Sequence, residues 1–334
     1  MSYITFQPND YFNTKLYTGN GGNQTITGVG FQPDWVWFKA RDAGQSHALV
    51  DSVRGTDKVL FSESNAAEGS ITSQTFNSDG FDLVQTATAN SINSSSSTKV
   101  AWSWKAGTTS GIATNGSTTI TPSAYSFNQT SGFSIIKYTG NGVNGAKLAH
   151  GLGAAPELIF AKSTNLTGEP WQVYSKPLGN DKRLFLNTDA AETSATEWYS
   201  TTPDTVNISL GNGTHINSNG NTFVAYCFAP IKGFSKFGSY TGNGNVNGPF
   251  IYTGFKPAFF LYKLSSASGQ NWTIHDNKRI GYNPVGHLLH PDLSNAESNQ
   301  QSGSLYVSDF CSNGIKIRGT DSNINGSGNT YIYM

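Results

Sequence analysis

The sequence predicts an all-β protein built from three tandem antiparallel β-sandwich domains of jelly-roll-like type. A pentapeptide, Tyr-Thr-Gly-Asn-Gly, occurs at residues 17–21, 138–142 and 240–244. Short apolar runs follow at the roughly 8–12-residue spacing that is typical of sandwiches and barrels. No window of the sequence carries the apolar stripe of an amphipathic helix, so we expect at most one helical turn, near residues 65–69.

Further landmarks follow each pentapeptide in the same order. A Gly, a Pro and an apolar run come first, then an Ala-Glu pair, a strand-like stretch, and an Ile-Asn pair before a last apolar run. We expect the Ile-Asn pairs to mark strand ends, with Asn side chains bonding local backbone. Roughly a hundred residues separate successive copies, which is too long for a solenoid repeat and long enough for a domain.

The landmarks predict five parts of the chain: a lead-in at 1–15, the first sandwich at 16–107, a linker at 108–132, the second sandwich at 133–230 and the third at 231–334. The linker is dominated by Thr, Ser and Gly, and its length accounts for the larger first spacing. The second junction is short, so we expect the second and third sandwiches to be in fixed contact.

Four tryptophans dominate the first repeat. Trp35 and Trp37 lie in an almost wholly apolar run, which is typical of a strand buried between two sheets. Residues 100–104 alternate between apolar and small or polar, so Trp102 and Trp104 share one face of a strand. We expect these four side chains to form the core of the first sandwich.

Composition excludes several functional classes. The chain has 21 basic and 21 acidic residues in 334, so no broad field attracts nucleic acid or an anionic membrane. Neither a run of about 18 apolar residues nor a secretory leader is present, so no membrane insertion and no signal peptide are predicted. Cys227 and Cys311 fall at non-equivalent places in the repeats, which indicates two free thiols, buried or half-buried.

Titratable residues offer two groups of candidates. His287 and His290 lie three residues apart in an insertion of the third repeat, where a structural or surface role is favoured over metal binding. Glu68, Glu192 and Glu297 end the three Ala-Glu pairs. A structural device is favoured for them over calcium coordination, and glycosidase-type catalysis comes last because an active site is rarely triplicated. No cofactor, metal or catalytic residue is predicted.

Aromatic residues in polar surroundings are the remaining candidates. Trp198 and Tyr199, with His287 and His290, are the predicted ligand- or partner-contact residues, and Tyr252 and Tyr262 are weaker candidates. An exposed aromatic ring beside Asn and Asp is suited to stacking on a sugar, and burial in the core is the alternative. Local function is expected where the copies differ, at residues 107–129, 198–202 and 281–292.

Extended matches accompany the first pentapeptide and indicate a resemblance. They are Gly-Val-Gly-Phe-Gln-Pro-Asp-Trp-Val-Trp at 28–37, Asp-Ser-Val-Arg-Gly at 51–55, Asn-Ser-Asp-Gly-Phe at 77–81 and Val-Ala-Trp-Ser-Trp-Lys-Ala-Gly at 100–107. Together they resemble a repeat domain of uncharacterised function in virion proteins of marine and cyanobacterial tailed phages. The second repeat departs from this pattern at Ser175 and the third at residues 251–255.

The resemblance implies a non-enzymatic virion structural protein made in the host cytoplasm. Its first expectation is a tail-fibre or receptor-binding component, and its alternative is a capsid decoration or other tail-associated protein. A glycan-degrading enzyme is a third, less favoured reading. The implied partners are other virion proteins and a glycan or protein of the host surface, and a homotrimer is expected because phage fibres are usually trimeric.

Overall fold

Antiparallel sheets make up nearly all of the regular structure, which confirms the predicted all-β class. The computed structural model describes residues 4–72, 74–84, 90–301 and 305–334, so the start of the predicted lead-in, residues 1–3, lies outside it. The strands fall into three segments, each carrying one pentapeptide. We call residues 12–104 segment 1, residues 124–228 segment 2 and residues 238–333 segment 3.

In its described residues segment 1 has nine strands: β1 Phe12–Thr18, β2 Gln24–Thr27, β3 Trp35–Ala40, β4 Ala48–Asp51, β5 Gly55–Phe61, β6 Gly69–Ser70, β7 Thr75–Asn77, β8 Gly80–Leu83 and β9 Thr98–Trp104. They form a large sheet in the order β1-β9-β3-β4-β5-β6 and a small sheet in the order β2-β8-β7. The first strand begins within the predicted lead-in, because Phe12 already pairs with Trp104.

Segment 2 has its strands at β10 Ala124–Asn128, β11 Phe133–Thr139, β12 Ala146–Ala149, β13 Leu158–Ser163, β14 Gln172–Ser175, β15 Lys182–Phe185, β16 Thr193–Ser194, β17 Asn207–Leu210 and β18 Thr222–Phe228. The large sheet has the order β10-β11-β18-β13-β14-β15-β16, and β12 pairs with β17. Strand β10 lies inside the predicted linker. It forms there because Asn128 accepts hydrogen bonds from the backbone of Thr130 and Ser131, which turns the chain into β11.

Segment 3 has its strands at β19 Gly238–Thr241, β20 Phe250–Tyr252, β21 Phe259–Leu264, β22 Thr273–Asp276, β23 His287–Leu288, β24 Ser298–Asn299, β25 Ser308–Cys311, β26 Gly314–Ile317 and β27 Thr330–Tyr333. Its sheets have the orders β19-β27-β21-β22, β20-β26-β25 and β23-β24. All strand pairs in the three segments are antiparallel. As in segment 1, the strand after the pentapeptide belongs to a small sheet that is separate from the large one.

Helices are single turns, and they correct two predictions. They are α1 Asn90–Asn93, α2 Thr214–Asn217 and α3 Ser322–Asn325, with 3₁₀ turns at Pro8–Asp10 and Lys176–Leu178. Each Ile-Asn pair ends one of the α-helical turns, so the prediction of strand ends is wrong. The helical turn expected near residues 65–69 is also wrong, since residues 65–68 are irregular and Gly69 begins β6. Four-residue helices leave no periodic signal in a sequence.

Each pentapeptide is fastened to one of these helical turns. The Tyr hydroxyl donates to the Ile carbonyl of the turn, at 2.6 Å for Tyr17 and at 2.8 Å for both Tyr138 and Tyr240. A Cβ on Gly19 would lie 2.3 Å from the backbone oxygen of Ser94, and equivalent close approaches occur in the other two segments. The first glycine is therefore required by contact with backbone.

Two kinds of core surround each large sheet. One face packs against the small sheet of its own segment, as Phe38 does against Phe81. The other face joins a central core that is shared by all three segments. Trp35, for example, stacks on Tyr226 of segment 2 with a ring-centroid distance of 4.5 Å. Both faces of the central strands are thus buried, which explains their almost wholly apolar sequence.

The central core corrects the assignment of the four tryptophans. Trp35, Trp37, Trp102 and Trp104 belong to the shared core, not to the interior of the first sandwich. The expected common face of Trp102 and Trp104 is confirmed, but that face is turned toward the other segments. A strand buried on both sides gives no sequence signal that tells its two faces apart.

The segments are joined head to tail into a closed ring. A backbone hydrogen bond connects each glutamate of the Ala-Glu pairs to the next segment. Glu68 donates to Thr164 at 2.8 Å, Glu192 to Ser265 at 2.8 Å, and Glu297 returns to Arg41 at 2.7 Å. Three joints of this kind close a ring within one chain. The same geometry closes a cyclic oligomer when identical subunits associate head to tail.

A buried lysine supports each joint from the other side. Lys39, Lys162 and Lys263 each donate to the carbonyl of the following residue and to a carbonyl of the neighbouring segment. Burial lowers the pKa of each to about 8. Backbone carbonyls therefore hold these three ammonium groups inside the joints, where water is excluded.

Candidate functional site

The three repeated glutamates serve the joints of the ring. Glu68 accepts from Arg54 at 3.2 Å, and Glu192 accepts from Lys182. Glu297 accepts from Arg41 at 2.8 Å and Arg279 at 3.0 Å. These cations bond carboxylate oxygens that the calcium alternative would need. Across the described part of the chain, no group of three His, Cys, Asp or Glu side chains is placed to hold a metal.

The predicted histidines lie at the joint between segments 3 and 1. His287 bonds Glu297 through its Nδ1 at 2.7 Å. His290 bonds the backbone oxygen of Trp272 through its Nδ1 at 2.8 Å, and burial lowers the pKa of its ring. The Nδ1 atom of each of the two rings is thus engaged with the protein itself. These two predicted contact residues therefore each have a partner within the protein.

Of the predicted aromatic pair, only one ring reaches the surface. Trp198 is 1% exposed and packs edge-on against Tyr174 in the core of segment 2, so it cannot stack on a ligand from solvent. Tyr199 is 43% exposed and covers Gly145. Of the weaker candidates, Tyr262 is buried, whereas Tyr252 is 60% exposed. The structure does not bring the predicted contact residues into one site.

The thiols agree with their prediction. Cys227 is free and buried in segment 2, and Cys311 is free and half-buried on the small sheet of segment 3. Burial raises the pKa of Cys227 to about 12, so it is not an available nucleophile.

The small sheet of segment 3 carries the most distinctive surface. Its inner positions are buried and, apart from Ser308, apolar. Its outer positions form two rows across strands β20, β26 and β25. One row consists of Phe250, Lys316 and Asp309, and the other of Tyr252, Gly314 and Cys311. We call this surface the outer sheet of segment 3.

Two aromatic rings stand out on this sheet. Phe250 is 44% exposed and Tyr252 is 60% exposed. A Cβ on Gly314 would lie 2.7 Å from Cζ of Phe250, so that ring lies against the glycine backbone. The ammonium of Lys236 lies 5.3 Å from the centroid of the Tyr252 ring, a cation–π geometry. Aromatic surface is therefore held in fixed positions and left open to solvent.

Cationic groups surround the two rings. Lys236 donates to the carbonyl of Tyr252, and Lys316 donates to the carbonyl of Gly248. Arg318, whose side chain is 48% exposed, donates from Nε to Asp309 at 2.7 Å. Three cations thus face one carboxylate. The local balance is positive in a chain whose formal net charge is zero.

The equivalent sheets of the other segments differ. In segment 1, Thr25 and Thr27 take the places of the two aromatics, and Asp82 takes the place of Lys316. In segment 2, the predicted linker covers the sheet. Ile120 bridges to Leu148 there, and other linker residues hydrogen-bond the same strands. Within the described residues, only segment 3 presents aromatic rings at these positions.

An apolar cavity of about 300 Å³ opens beside this surface. Residues of all three segments line it, including Phe12, Phe228 and Phe259, and no acidic side chain is among the lining residues. Lys236 lies on its wall and also contacts Tyr252, so the cavity and the outer sheet are neighbours. Lys256 adds a second positive charge to the cavity wall.

Sequence reasoning missed most of this site. It found Tyr252 only as a weak candidate, and residues 251–255 only as a departure from the repeat pattern. Phe250 gave no signal of its own. Comparison of the copies at the residues of β2 and β20 would have shown that the first copy has Thr where the third has Phe and Tyr. Exposure, however, depends on what covers each sheet.

Comparison with known proteins gives one match. A family model described as a domain of unknown function, DUF7483, matches residues 7–334, which include all three segments. The chain therefore belongs to that family. No curated protein and no solved structure matches it. In the part of the chain that the structure describes, no helix has the length and apolar character needed to cross a bilayer.

Proposed function

We propose that this member of a family of unknown function is a non-enzymatic structural protein of a phage virion, where it serves as a tail-fibre or receptor-binding component that contacts the host surface. The resemblance of the repeats to virion proteins suggests the setting. The outer sheet of segment 3 suggests the role. Other virion proteins would be its assembly partners.

The architecture suits a protein that presents a binding site to a partner. We propose that the three segments are copies of one sandwich domain, fused into a ring with a common core. Such a ring is a stiff scaffold, because its joints are bridged by backbone hydrogen bonds and by buried side-chain hydrogen bonds to Asp51 and Asp276. A site on one copy is then held in a fixed orientation, and the other two copies supply support.

One observation carries the receptor-binding role: Phe250 and Tyr252 are exposed together on one sheet face. Most other aromatic side chains of the described residues are buried in the two kinds of core, and the exposed rings of Tyr199 and Tyr282 lie singly on other parts of the chain. Aromatic residues exposed in a fixed cluster mark interaction surfaces more often than scattered ones do. The equivalent threonines of segment 1 show that the fold itself does not require aromatic residues here.

Adhesion and localisation test the proposal. Purified full-length protein should adhere to host cells, and immunogold labelling should place the protein at the tail of intact particles. The Phe250→Thr/Tyr252→Thr variant copies segment 1 and should adhere much less while keeping its melting temperature. Adhesion no greater than that of an unrelated β-protein would contradict the receptor-binding role.

The ring also favours a second candidate, a capsid decoration protein. Three equivalent joints around one centre give a body suited to a threefold axis of an icosahedral shell. Protein quantitation on purified virions separates the two candidates. A copy number that follows the number of shell subunits supports decoration, whereas a few copies per particle support a tail fibre. A homotrimer of whole chains, expected from fibres, is tested by the mass of the protein in solution.

A further inference from the structure

We infer that the outer sheet of segment 3 binds an acidic saccharide, such as a chain that contains uronic acids. Phe250 and Tyr252 would stack on the sugar rings, and Lys236, Lys316 and Arg318 would contact the carboxylates. This inference rests on the proposed receptor-binding role and adds the chemical class of the ligand. The proposed function does not state the charge of the ligand, whereas this inference requires a negatively charged one.

The first step concerns the aromatic pair. Phe250 and Tyr252 are two residues apart on β20 and point to the same side, which places their backbones about 7 Å apart along the strand. The C–H groups on one face of a pyranose pack against the electron-rich face of an aromatic ring. Two such rings in line can therefore meet two sugars of one extended chain.

The second step concerns charge. Lys236 and Lys316 donate to neutral carbonyl groups, and neither forms an ion pair within the described residues. Asp309 is engaged by Arg318, whose side chain remains 48% exposed. A carboxylate on the ligand would form charge-assisted hydrogen bonds with these cations. A neutral sugar could use only the stacking surface, so the arrangement favours an acidic chain.

The third step uses segment 1 as an internal comparison. Its small sheet has the same register, but it presents Thr25 and Thr27 on β2 and Asp82 on the central strand β8. That surface lacks the stacking rings and carries a carboxylate where segment 3 has Lys316. Replacing segment 3 residues by their segment 1 counterparts therefore removes the ligand contacts within a backbone that already accepts those residues.

The test uses full-length protein and two defined polymers, polygalacturonate as the acidic probe and dextran as the neutral one. In affinity electrophoresis, polygalacturonate should retard the wild-type protein and dextran should not. Isothermal titration should show at least a tenfold loss of affinity for polygalacturonate in Phe250→Thr/Tyr252→Thr, and a similar loss in Lys316→Asp. The variant Thr25→Ala/Thr27→Ala, on the sheet of segment 1, should bind like wild type.

Several outcomes would overturn the inference. Equal binding by wild type and by the aromatic double variant would mean that the protein acts only as an ion exchanger, and equal retardation by dextran would remove the charge argument. Circular dichroism melting excludes loss of fold in the variants. Host-cell adhesion without polygalacturonate binding would leave the receptor-binding role and reject the acidic ligand. If the protein neither adheres to host cells nor binds polygalacturonate, the receptor-binding role and the acidic ligand are both rejected.

Discussion

The hydroxyl of Tyr226 donates a hydrogen bond of 2.7 Å to the carboxylate of Asp51 across the joint between segments 2 and 1, where both side chains are buried. Trp102 makes the matching contact with Asp276 at 3.0 Å, between segments 1 and 3. The third joint lacks it. There the acid is replaced by Ser175, and Met334, which pairs with Leu261, has no donor to offer.

The arginine partner changes together with the acid. Asp51 is paired with Arg54 at 2.5 Å and Asp276 with Arg279 at 2.6 Å, and all four side chains are fully buried. In segment 2 the residue that follows Ser175 at the same spacing is Leu178, which packs against the central core. Acid and arginine are thus present or absent as a unit, because either one alone would leave a buried charge without its closest partner.

This pairing predicts the stability of two variants. Asp51→Ser alone should destabilise the protein by about 3–5 kcal/mol, because the buried Arg54 would lose its closest partner and keep only the longer ion pair with Glu68. Asp51→Ser/Arg54→Leu reproduces the residues of segment 2 and should recover much of that loss. Urea denaturation measures both free energies of unfolding. A double variant that is no more stable than the single one would show that the pair is not the unit described here.

The shared core predicts a single unfolding transition. All three segments bury one face of their large sheets in the same core, so none can unfold without exposing the other two. Tryptophan fluorescence, which reports chiefly on the central core, and far-ultraviolet circular dichroism should therefore give the same melting temperature. Tyr17→Phe in segment 1 and Tyr240→Phe in segment 3 should each lower that one temperature. Separate transitions for the segments would contradict a common core.

Removal of a pentapeptide hydroxyl tests the anchoring of the helical turns. Tyr138 is buried, and it donates to the carbonyl of Ile216 at 2.8 Å. Tyr138→Phe should cost about 1–2 kcal/mol, since the carbonyl loses its partner where water cannot replace it. Tyr199→Phe, at an exposed ring, is the matched control and should change the free energy of unfolding by less than about 0.5 kcal/mol. Equal effects of the two changes would argue against the anchor.

Asp292 predicts a pH dependence of stability. Burial raises its pKa to about 7 in the folded protein, and the charge of Lys263 only partly opposes this. A carboxyl whose folded pKa is raised stabilises the fold below its ordinary pKa, and that contribution is lost as the pH rises through 7. Asp292→Asn should therefore be more stable than wild type above pH 7, by about 1–3 kcal/mol, with a smaller difference near pH 4.

The measurement for Asp292 is urea denaturation at intervals between pH 4 and pH 8. Segment 2 offers a natural precedent, because Asn187 accepts a hydrogen bond from the backbone of Trp171 at 2.9 Å at the corresponding joint. Asp57→Asn, at a half-exposed side chain, serves as the control and should keep the wild-type pH profile. An Asp292→Asn profile parallel to that of wild type would refute the assignment.

Local chemistry determined the β class and the recurrence of its landmarks. Strand signals repeat because alternate side chains meet different surroundings, and the pentapeptide repeats because the tyrosine hydroxyl and the first glycine each meet backbone at a fixed place. The sequence also identified Glu68, Glu192 and Glu297 as equivalent. It missed the single-turn helices, since four residues cannot establish a helical period.

Tertiary structure alone decided how these pieces face one another. The apolar strands show no alternation that distinguishes their two faces. Only packing therefore shows that Trp35 contacts Tyr226 of another segment and that Trp198 is buried. Only packing shows that a linker covers the small sheet of segment 2 while Phe250 and Tyr252 stay open. Exposure depends on residues that are distant in the chain, and a sequence pattern records only near neighbours.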